Sequence, residues 1–127
     1  MIAVVDDEES VRSALVRVLR AGGHAARGFA SAREFLNSWR FDRPDCLLLD
    51  LQMPDISGTE VQQALNAAGA GIPVIIVTAR DSLIVREECM RQGAVAYLCK
   101  PPDPRVLLQA VALAIASSAV GGDGKKR

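Results

Sequence analysis

Four apolar runs of the sequence each end on polar side chains. The side chains at these positions are Asp6 and Asp7, Asp50, Thr78 and Lys100. Three carboxylates gathered in one place repel one another unless a cation lies among them. Carboxylate oxygens without cysteine or histidine partners form a donor set that suits Mg²⁺ better than zinc. A single aspartate after a strand is an ordinary helix cap, but the whole combination at successive strand ends predicts a charged site that holds Mg²⁺.

Apolar spacing predicts five strands and five helices that alternate along the chain. Strands are predicted over residues 2–5, 25–29, 46–49, 73–77 and 96–99, and helices over residues 10–19, 31–39, 58–67, 82–92 and 104–117. At the second helix Ser31 is the predicted N-cap, and Glu34 three residues later predicts a reciprocal capping box. The continuous apolar runs at 46–49 and 73–77 are typical of strands covered on both faces.

A strand–helix unit repeated five times predicts an α/β fold, with a single doubly wound parallel sheet and helices on both of its faces. In such sheets the site lies at the carboxyl ends of the strands, near the point where the strand order reverses. Asp6, Asp7, Asp50, Thr78 and Lys100 each lie just after a predicted strand. This fold would therefore bring their side chains to that edge. We expect one domain over residues 1–118, followed by a flexible tail or the start of an interdomain linker over residues 119–127.

Composition argues against several classes of protein. The 127 residues are 50% apolar, enough for one core, and 15 basic residues balance 15 acidic ones. Without a basic excess we expect no direct nucleic-acid binding by this domain. The N-terminal residues lack the pattern of a signal peptide, and no apolar run is long enough for a bilayer, so we expect no membrane contact. Three cysteines without ligand-like spacing, Cys46, Cys89 and Cys99, are typical of reduced thiols in a cytoplasmic protein.

Four motifs occur in order over residues 1–117. They are Val-Val-Asp-Asp-Glu (4–8), Leu-Leu-Leu-Asp-Leu-Gln-Met-Pro-Asp-Ile-Ser-Gly (47–58), Ile-Val-Thr-Ala (76–79) and Tyr-Leu-Cys-Lys-Pro (97–101). Through these motifs the chain resembles the receiver domain of two-component response regulators. That resemblance implies a flavodoxin-like (βα)5 domain with strand order 2-1-3-4-5. The segment Ser-Ala-Arg-Glu-Phe-Leu (31–36) is similar to the subgroup whose output domains are helix-turn-helix transcription activators.

The resemblance implies a phosphorylation switch. Asp50 would accept a phosphoryl group from a sensor histidine kinase and form an aspartyl phosphate. Thr78 would hydrogen-bond one phosphoryl oxygen and Lys100 would neutralise another, and Thr78 would couple to Tyr97 as the second switch residue. The chain would be a phosphoacceptor regulatory domain rather than an enzyme, although it would assist its own phosphorylation and dephosphorylation.

The same resemblance implies a set of metal ligands. Asp7 would bind Mg²⁺ directly and Asp6 largely through water, with Asp50 as a further ligand. The backbone carbonyl of Gln52 would complete the protein ligands, and Mn²⁺ is expected to substitute for Mg²⁺. A divalent ion suits this reaction because phosphoryl transfer needs positioning and charge neutralisation more than acid–base chemistry.

Three other functions use similar residues or the same topology. A phosphatase of the haloacid dehalogenase type also has an aspartyl nucleophile, but it needs a second acid two residues later, where this chain has Gln52. An FMN-binding flavodoxin needs a hydroxyl- and glycine-rich loop after the first strand, whereas the acidic run at residues 6–9 would repel a phosphate. A receiver fold used only for binding would not need the complete set of acidic, threonine and lysine positions.

The final predicted helix has more apolar residues than one buried face needs. Leu107, Val111, Ala114 and Ile115 form a stripe for the core, and Val106, Ala110 and Leu113 form a second apolar face. In the resembled family, activated domains pair through the fourth helix, the fifth strand and the fifth helix. We expect a phosphorylation-dependent homodimer there, with Leu113 near its centre, unless an attached output domain covers this face. A fused C-terminal DNA-binding domain outside this chain would make the output transcriptional.

Overall fold

The computed structural model describes the backbone of residues 1–125 and the side chains of residues 1–118. Its strands are β1 (Ile2–Val5), β2 (Ala26–Phe29), β3 (Cys46–Leu49), β4 (Val74–Thr78) and β5 (Ala96–Cys99). Its helices are α1 (Glu9–Ala21), α2 (Ala32–Ser38), α3 (Gly58–Ala67), α4 (Leu83–Arg91) and α5 (Pro104–Lys125). Strands and helices alternate through the described part of the chain, as the sequence predicts.

The five strands form one parallel sheet in the order β2-β1-β3-β4-β5. This order confirms the predicted doubly wound α/β fold. β1 and β3 pair along their whole length, and β2 lies on the outer side of β1 while β4 lies on the outer side of β3. The strand order therefore reverses at the β1–β3 pair, and the carboxyl ends of these two strands flank the place where a site is expected.

Alternate residues of the central strands face opposite sides of the sheet, so two apolar clusters form. On one side Leu47 lies in a cluster with Phe35 of α2. On the other side Leu48 lies in a cluster with Leu19 of α1 and Leu107 of α5. Every residue of β1, β3 and β4 is buried. Burial on both faces explains why continuous apolar runs, and not alternating ones, encode these strands.

Several element boundaries differ from the prediction by one or two residues, and local contacts explain two of them. β4 includes Thr78 because that residue still pairs with Cys99 of β5. α1 continues to Ala21, and the amide of Gly22 then donates to the Val18 carbonyl to close the helix. Helix formation stops only where the chain turns at the glycines, because each added residue before them gains an intrahelical hydrogen bond.

α5 is longer than predicted and continues to Lys125 instead of ending at residue 117. The tail predicted from residue 119 is thus helical as far as Lys125, and residues 126 and 127 lie outside the described residues. The division into a domain and a linker stays a prediction. Although α5 has 22 residues, neither it nor any other helix in the described part of the chain combines the length and hydropathy of a membrane span.

The helix caps are partly as predicted. Ser31 caps α2, since its hydroxyl oxygen accepts a hydrogen bond from the Glu34 amide at 3.1 Å. The complete capping box is formed at α3, where Ser57 accepts from the Glu60 amide and the Glu60 side chain accepts from the Ser57 amide. The reciprocal bond from the Ser31 amide to the Glu34 side chain, which the sequence predicts, is not formed at α2. Instead a further amide of the first turn of α2, that of Arg33, donates to Asp55 from another part of the chain.

Candidate functional site

The carboxyl edge of the sheet brings the predicted polar side chains together. Asp6 follows β1, Asp50 follows β3, Thr78 ends β4 and Lys100 follows β5. Asp6, Asp50 and Thr78 are buried, with exposed fractions of 1%, 4% and 0%, whereas Asp7 is exposed. Burial of carboxylates is unfavourable unless positive charge compensates them, so this edge requires a cation.

Asp6, Asp7 and Asp50 each direct a carboxylate oxygen to a common region, because these oxygens lie within 4.8 Å of one another. Oδ1 of Asp6 accepts a hydrogen bond from the Glu8 amide at 2.9 Å. Oδ2 of Asp6 is buried and pairs with the Lys100 ammonium at 2.7 Å. The clustered carboxylate oxygens of Asp6, Asp7 and Asp50 form a hard donor set that fits a divalent cation such as Mg²⁺. These three residues could therefore hold the ion that the sequence predicts.

The Lys100 ammonium lies between the two buried carboxylates. Its Nζ is 2.7 Å from Asp6 Oδ2 and 3.4 Å from Asp50 Oδ2, and the Lys100–Pro101 peptide bond is cis. Burial alone would lower the pKa of Lys100, but the close contact with Asp6 and the charge of Asp50 raise it above its usual value. The lysine is therefore held in its charged form and neutralises part of the negative charge at this edge.

The surroundings of Asp50 hold its carboxylate in place but disfavour its charge. Oδ1 accepts a hydrogen bond from the Gln52 amide at 3.3 Å. Burial raises the pKa of Asp50 above its usual value, and the Gln52 amide and the Lys100 charge only partly oppose this effect. A cation bound beside the carboxylate would favour its charged, nucleophilic form. The main chain of Gln52 borders the site, and the role of its carbonyl as a metal ligand stays a prediction.

Main-chain contacts of Arg80 join Thr78 to Tyr97. The Arg80 amide donates to Thr78 Oγ1 at 3.3 Å, and the Arg80 carbonyl accepts a hydrogen bond from the Tyr97 hydroxyl at 2.5 Å. Tyr97 is 8% exposed and belongs to the apolar cluster that includes Cys89 of α4. Tyr97 therefore lies inward in this structure, and its role as a switch residue coupled to Thr78 stays a prediction.

Two residues near the site make contacts that the sequence does not reveal. Arg12 Nη1 donates to the Asp6 carbonyl at 2.8 Å, which ties α1 to the end of β1. Asp55 Oδ2 accepts from the Arg33 amide at 3.1 Å, which joins the loop after β3 to α2. Charged surface residues are too common for spacing alone to single these out. The only available signal is the Pro54-Asp55 pair, which is typical of a turn.

α5 has the two apolar faces that the sequence predicts. Leu107, Val111 and Ala114 are buried, and Ile115 packs against the same cluster. On the second face Val106 and Leu113 are 47% and 62% exposed, whereas Ala110, predicted to lie with them, is half-buried and packs against the core cluster of Leu107. Two further apolar side chains, Leu83 and Ile84 at the start of α4, are also exposed. An apolar surface is therefore present, and its use as a dimer contact stays a prediction.

A doubly wound sheet with an acidic pair, a buried aspartate, a threonine and a lysine at its carboxyl edge defines a receiver-type domain. Residues 2–112 match the family described as the response regulator receiver domain. The chain belongs to this family, and its fold is the CheY-like (βα)5 fold. Receiver domains of this family are regulatory domains of two-component systems.

Several relatives and solved structures are similar to this chain. It is 40% identical over 100 residues to response regulator MprA of Mycolicibacterium vanbaalenii, covering 79% of this chain and 43% of that protein. It is 36% identical over 122 residues to the transcriptional regulatory protein FixJ of Azorhizobium caulinodans, covering 95% of this chain and 57% of that protein. The crystal structure of FixJ-N has a TM-score of 0.84 at 35% identity and covers 91% of this chain and 92% of that one. The crystal structure of a CheY-like receiver domain protein from Methanospirillum hungatei has a TM-score of 0.87 at 28% identity and covers 94% of this chain and 96% of that one. The chain thus spans about half the length of the two named relatives.

Proposed function

We propose that this domain is a phosphorylation-activated signalling switch that accepts a phosphoryl group on Asp50 in a Mg²⁺-dependent reaction. The observation that supports the proposal is the position of Lys100 Nζ, 2.7 Å from Asp6 Oδ2 and 3.4 Å from Asp50 Oδ2, next to three carboxylates whose oxygens lie within 4.8 Å. This arrangement combines a nucleophilic carboxylate with positive charge for the oxygens of an incoming phosphoryl group.

In the reaction a carboxylate oxygen of Asp50 forms a bond to phosphorus while the bond from phosphorus to the leaving group breaks in line. The proposed donor is a phosphohistidine of a sensor kinase, so the leaving group is the kinase imidazole. Lys100 attracts one phosphoryl oxygen, and the Thr78 hydroxyl donates a hydrogen bond to another. Asp6, Asp7, Asp50 and the Gln52 carbonyl are the proposed ligands of Mg²⁺, which would supply further charge neutralisation when bound, and Mn²⁺ would substitute for it. The domain assists its own phosphorylation and dephosphorylation through these groups but turns over no separate substrate.

Phosphorylation by a small donor tests the proposal directly. Wild type incubated with acetyl phosphate and Mg²⁺ should gain the mass of one phosphoryl group, and Asp50→Asn should gain none because it lacks the attacking carboxylate. Asp42→Asn is the matched control, since Asp42 is an exposed aspartate paired only loosely with Arg27 at 3.8 Å. Intact mass spectrometry reads out the result. Unchanged labelling of Asp50→Asn, or no labelling of wild type, would contradict the proposal.

The proposed output is a phosphorylation-dependent homodimer through α4, β5 and α5 that controls transcription through a fused C-terminal DNA-binding domain. Support for the surface comes from Val106 and Leu113, which are 47% and 62% exposed. Support for transcription comes from the similarity to FixJ, a transcriptional regulatory protein that is longer than this chain. The three free cysteines, Cys46, Cys89 and Cys99, favour a cytoplasmic location.

A further inference from the structure

The loop at residues 51–57, between β3 and α3, carries the main chain of Gln52 against the site. Apolar packing contributes to its path, since Leu51, Met53 and Ile56 pack against the core cluster, and three hydrogen bonds restrain its main chain further. The Gln52 amide donates to Asp50 Oδ1 at 3.3 Å, and the Gly58 amide donates to the Leu51 carbonyl at 3.2 Å. The third bond leaves the loop altogether, because Asp55 Oδ2 accepts from an amide of α2. Of these three hydrogen bonds, the third is the one that joins the loop to an element other than its flanking strand and helix.

The amide that donates this hydrogen bond to Asp55 belongs to Arg33, which lies in the first turn of α2, 22 residues earlier in the chain. Amides in the first turn of a helix have no intrahelical partner. Ser31 satisfies the next amide, that of Glu34, through its hydroxyl at 3.1 Å, so the first turn of α2 has one local cap and one cap from the loop. A carboxylate at this position also interacts favourably with the helix dipole.

α2 is a suitable anchor because one face of the helix and the residue that caps its end, Trp39, are buried in the core. Phe35 is fully buried and Trp39 is 7% exposed in the same apolar cluster, and the Phe35 ring packs edge-on against Phe29 of β2 at 5.4 Å between ring centroids. A loop tied to the first turn of α2 is therefore tied to the core. In contrast, Gln52 and Asp55 themselves are exposed, so packing of their side chains does not fix the loop at these positions.

The protonation state of Asp55 is consistent with this contact. Slight desolvation would raise the pKa of Asp55, but hydrogen bonds from backbone amides, first among them that of Arg33, hold it below its usual value. A folded-state pKa below the unfolded one means that the carboxylate contributes stability above the unfolded pKa, and that this contribution is lost as the pH falls through the folded pKa. At neutral pH the tie is present in its charged form.

We propose that Asp55 is a positioning residue for the phosphoacceptor site, which ties the loop at residues 51–57 to the first turn of α2 and so holds the Gln52 main chain beside Asp50. Asp55 would act through the loop, without contact to the metal or the phosphoryl group. The inference rests on the proposed function only where it concerns Mg²⁺, since the tie between loop and helix is a property of the protein alone.

Asp55→Ala removes the tie, and Ser31→Ala is the matched control because it removes a cap from the same helix turn without freeing the loop. Amide hydrogen exchange without metal is the first measurement. In Asp55→Ala the loop peptide at residues 51–57 should exchange roughly three to ten times faster than in wild type, the range expected for the loss of one cap. In Ser31→Ala the loop peptide should exchange as in wild type, although α2 itself becomes less stable.

The second measurement is Mg²⁺ affinity, titrated by calorimetry with the metal alone. Asp55→Ala should bind Mg²⁺ about threefold to tenfold more weakly, Asp55→Asn should stay close to wild type because its amide oxygen still accepts the bond, and Ser31→Ala should be unchanged. If loop exchange is the same in Asp55→Ala and wild type, or if Ser31→Ala weakens Mg²⁺ binding as much as Asp55→Ala does, Asp55 is only a helix cap and the inference is wrong. If wild type itself binds no Mg²⁺, the proposed function fails, and the exchange measurement still decides whether the tie exists.

Discussion

Lys100 lies closer to Asp6 than to the proposed phosphoacceptor: its Nζ is 2.7 Å from Asp6 Oδ2 but 3.4 Å from Asp50 Oδ2. The lysine is therefore first of all the counter-ion of a buried aspartate, and Asp50 shares it at the longer distance. A cation in this position can shift toward an incoming phosphoryl group while Asp6 keeps it at the site. This relationship makes Lys100 important for stability as well as for phosphorylation.

Lys100→Ala should destabilise the metal-free protein, because it leaves Asp6 and Asp50 buried without their counter-ion. Breaking a buried ion pair costs about 3 kcal/mol in the free energy of unfolding. Arg105→Ala is the control. The Arg105 side chain is 93% exposed and pairs with Asp103 at 3.9 Å, so its removal should change the free energy of unfolding little. Urea unfolding of both variants without metal measures the difference. Equal stability of Lys100→Ala and Arg105→Ala would show that the lysine does not compensate the buried charges.

Mg²⁺ in the millimolar range should raise the melting temperature of wild type, because a ligand that binds only the folded state stabilises it. Asp7→Asn should lose most of this shift, since it removes one of three carboxylates whose oxygens lie within 4.8 Å, while the exposed position of Asp7 leaves the fold intact. Glu9→Gln serves as a control for loss of an exposed negative charge nearby. Thermal melting at increasing Mg²⁺ concentration is the measurement. A wild-type melting curve that Mg²⁺ leaves unchanged would contradict the metal site.

Thr78→Ala should still accept a phosphoryl group but should not change the surroundings of Tyr97. The physical reason is that the Thr78 hydroxyl and the Tyr97 hydroxyl contact the same residue, Arg80, on its amide and its carbonyl. Tyr97 is the single tyrosine of the chain, so its ring resonances in NMR spectra report on it without overlap. Thr78→Ser retains the hydroxyl and should behave as wild type. The coupling route is wrong if phosphorylated Thr78→Ala shows the wild-type change at Tyr97.

Leu113→Lys should leave folding and Mg²⁺ binding intact but prevent the increase in mass that phosphorylation produces in wild type. The Leu113 side chain is 62% exposed, so a lysine there should change the stability of the monomer little. At the centre of a symmetric contact, however, the lysine would lie against the same lysine of the second copy, and the two charges would repel each other. Ala112→Lys is the control, since Ala112 is exposed on another face of α5. Analytical ultracentrifugation with and without phosphorylation measures the mass. Dimerisation of Leu113→Lys, or a phosphorylated wild type that stays monomeric, would exclude this surface.

Thiol labelling at pH 8 should modify Cys99 first and leave Cys46 unreacted in the folded protein. Cys99 is exposed and Cys46 is buried, and burial raises the pKa of Cys46 from 9.0 to about 12, so only about one Cys46 in ten thousand is a thiolate at pH 8. Because this folded-state pKa lies above the unfolded one, the associated stability is present below pH 9 and is lost as the pH rises toward 12. Peptide mass spectrometry after brief labelling identifies the modified cysteine. Labelling of Cys46 as fast as Cys99 would show that the amino end of β3 opens.

The sequence alone determined the fold and most of the site. The strands at residues 2–5, 46–49 and 96–99 and the helix at residues 58–67 have the predicted bounds, because apolar spacing and caps act over a few neighbouring residues. The site was predictable for a related reason. Parallel strands deliver the residues that follow them to one edge of the sheet, so the positions of Asp6, Asp50, Thr78 and Lys100 along the chain already implied that they would meet.

Only the tertiary structure decided which of these groups contact one another. The choice of Asp6 as the closer partner of Lys100, the joining of Thr78 and Tyr97 through Arg80, and the tie from Asp55 to α2 all depend on side-chain rotamers and loop paths. These contacts span up to 94 residues of sequence in the Lys100–Asp6 pair (100 minus 6). Local spacing carries no information at such separations, because a hydrogen bond or ion pair depends on positions to within a fraction of an ångström that packing alone sets.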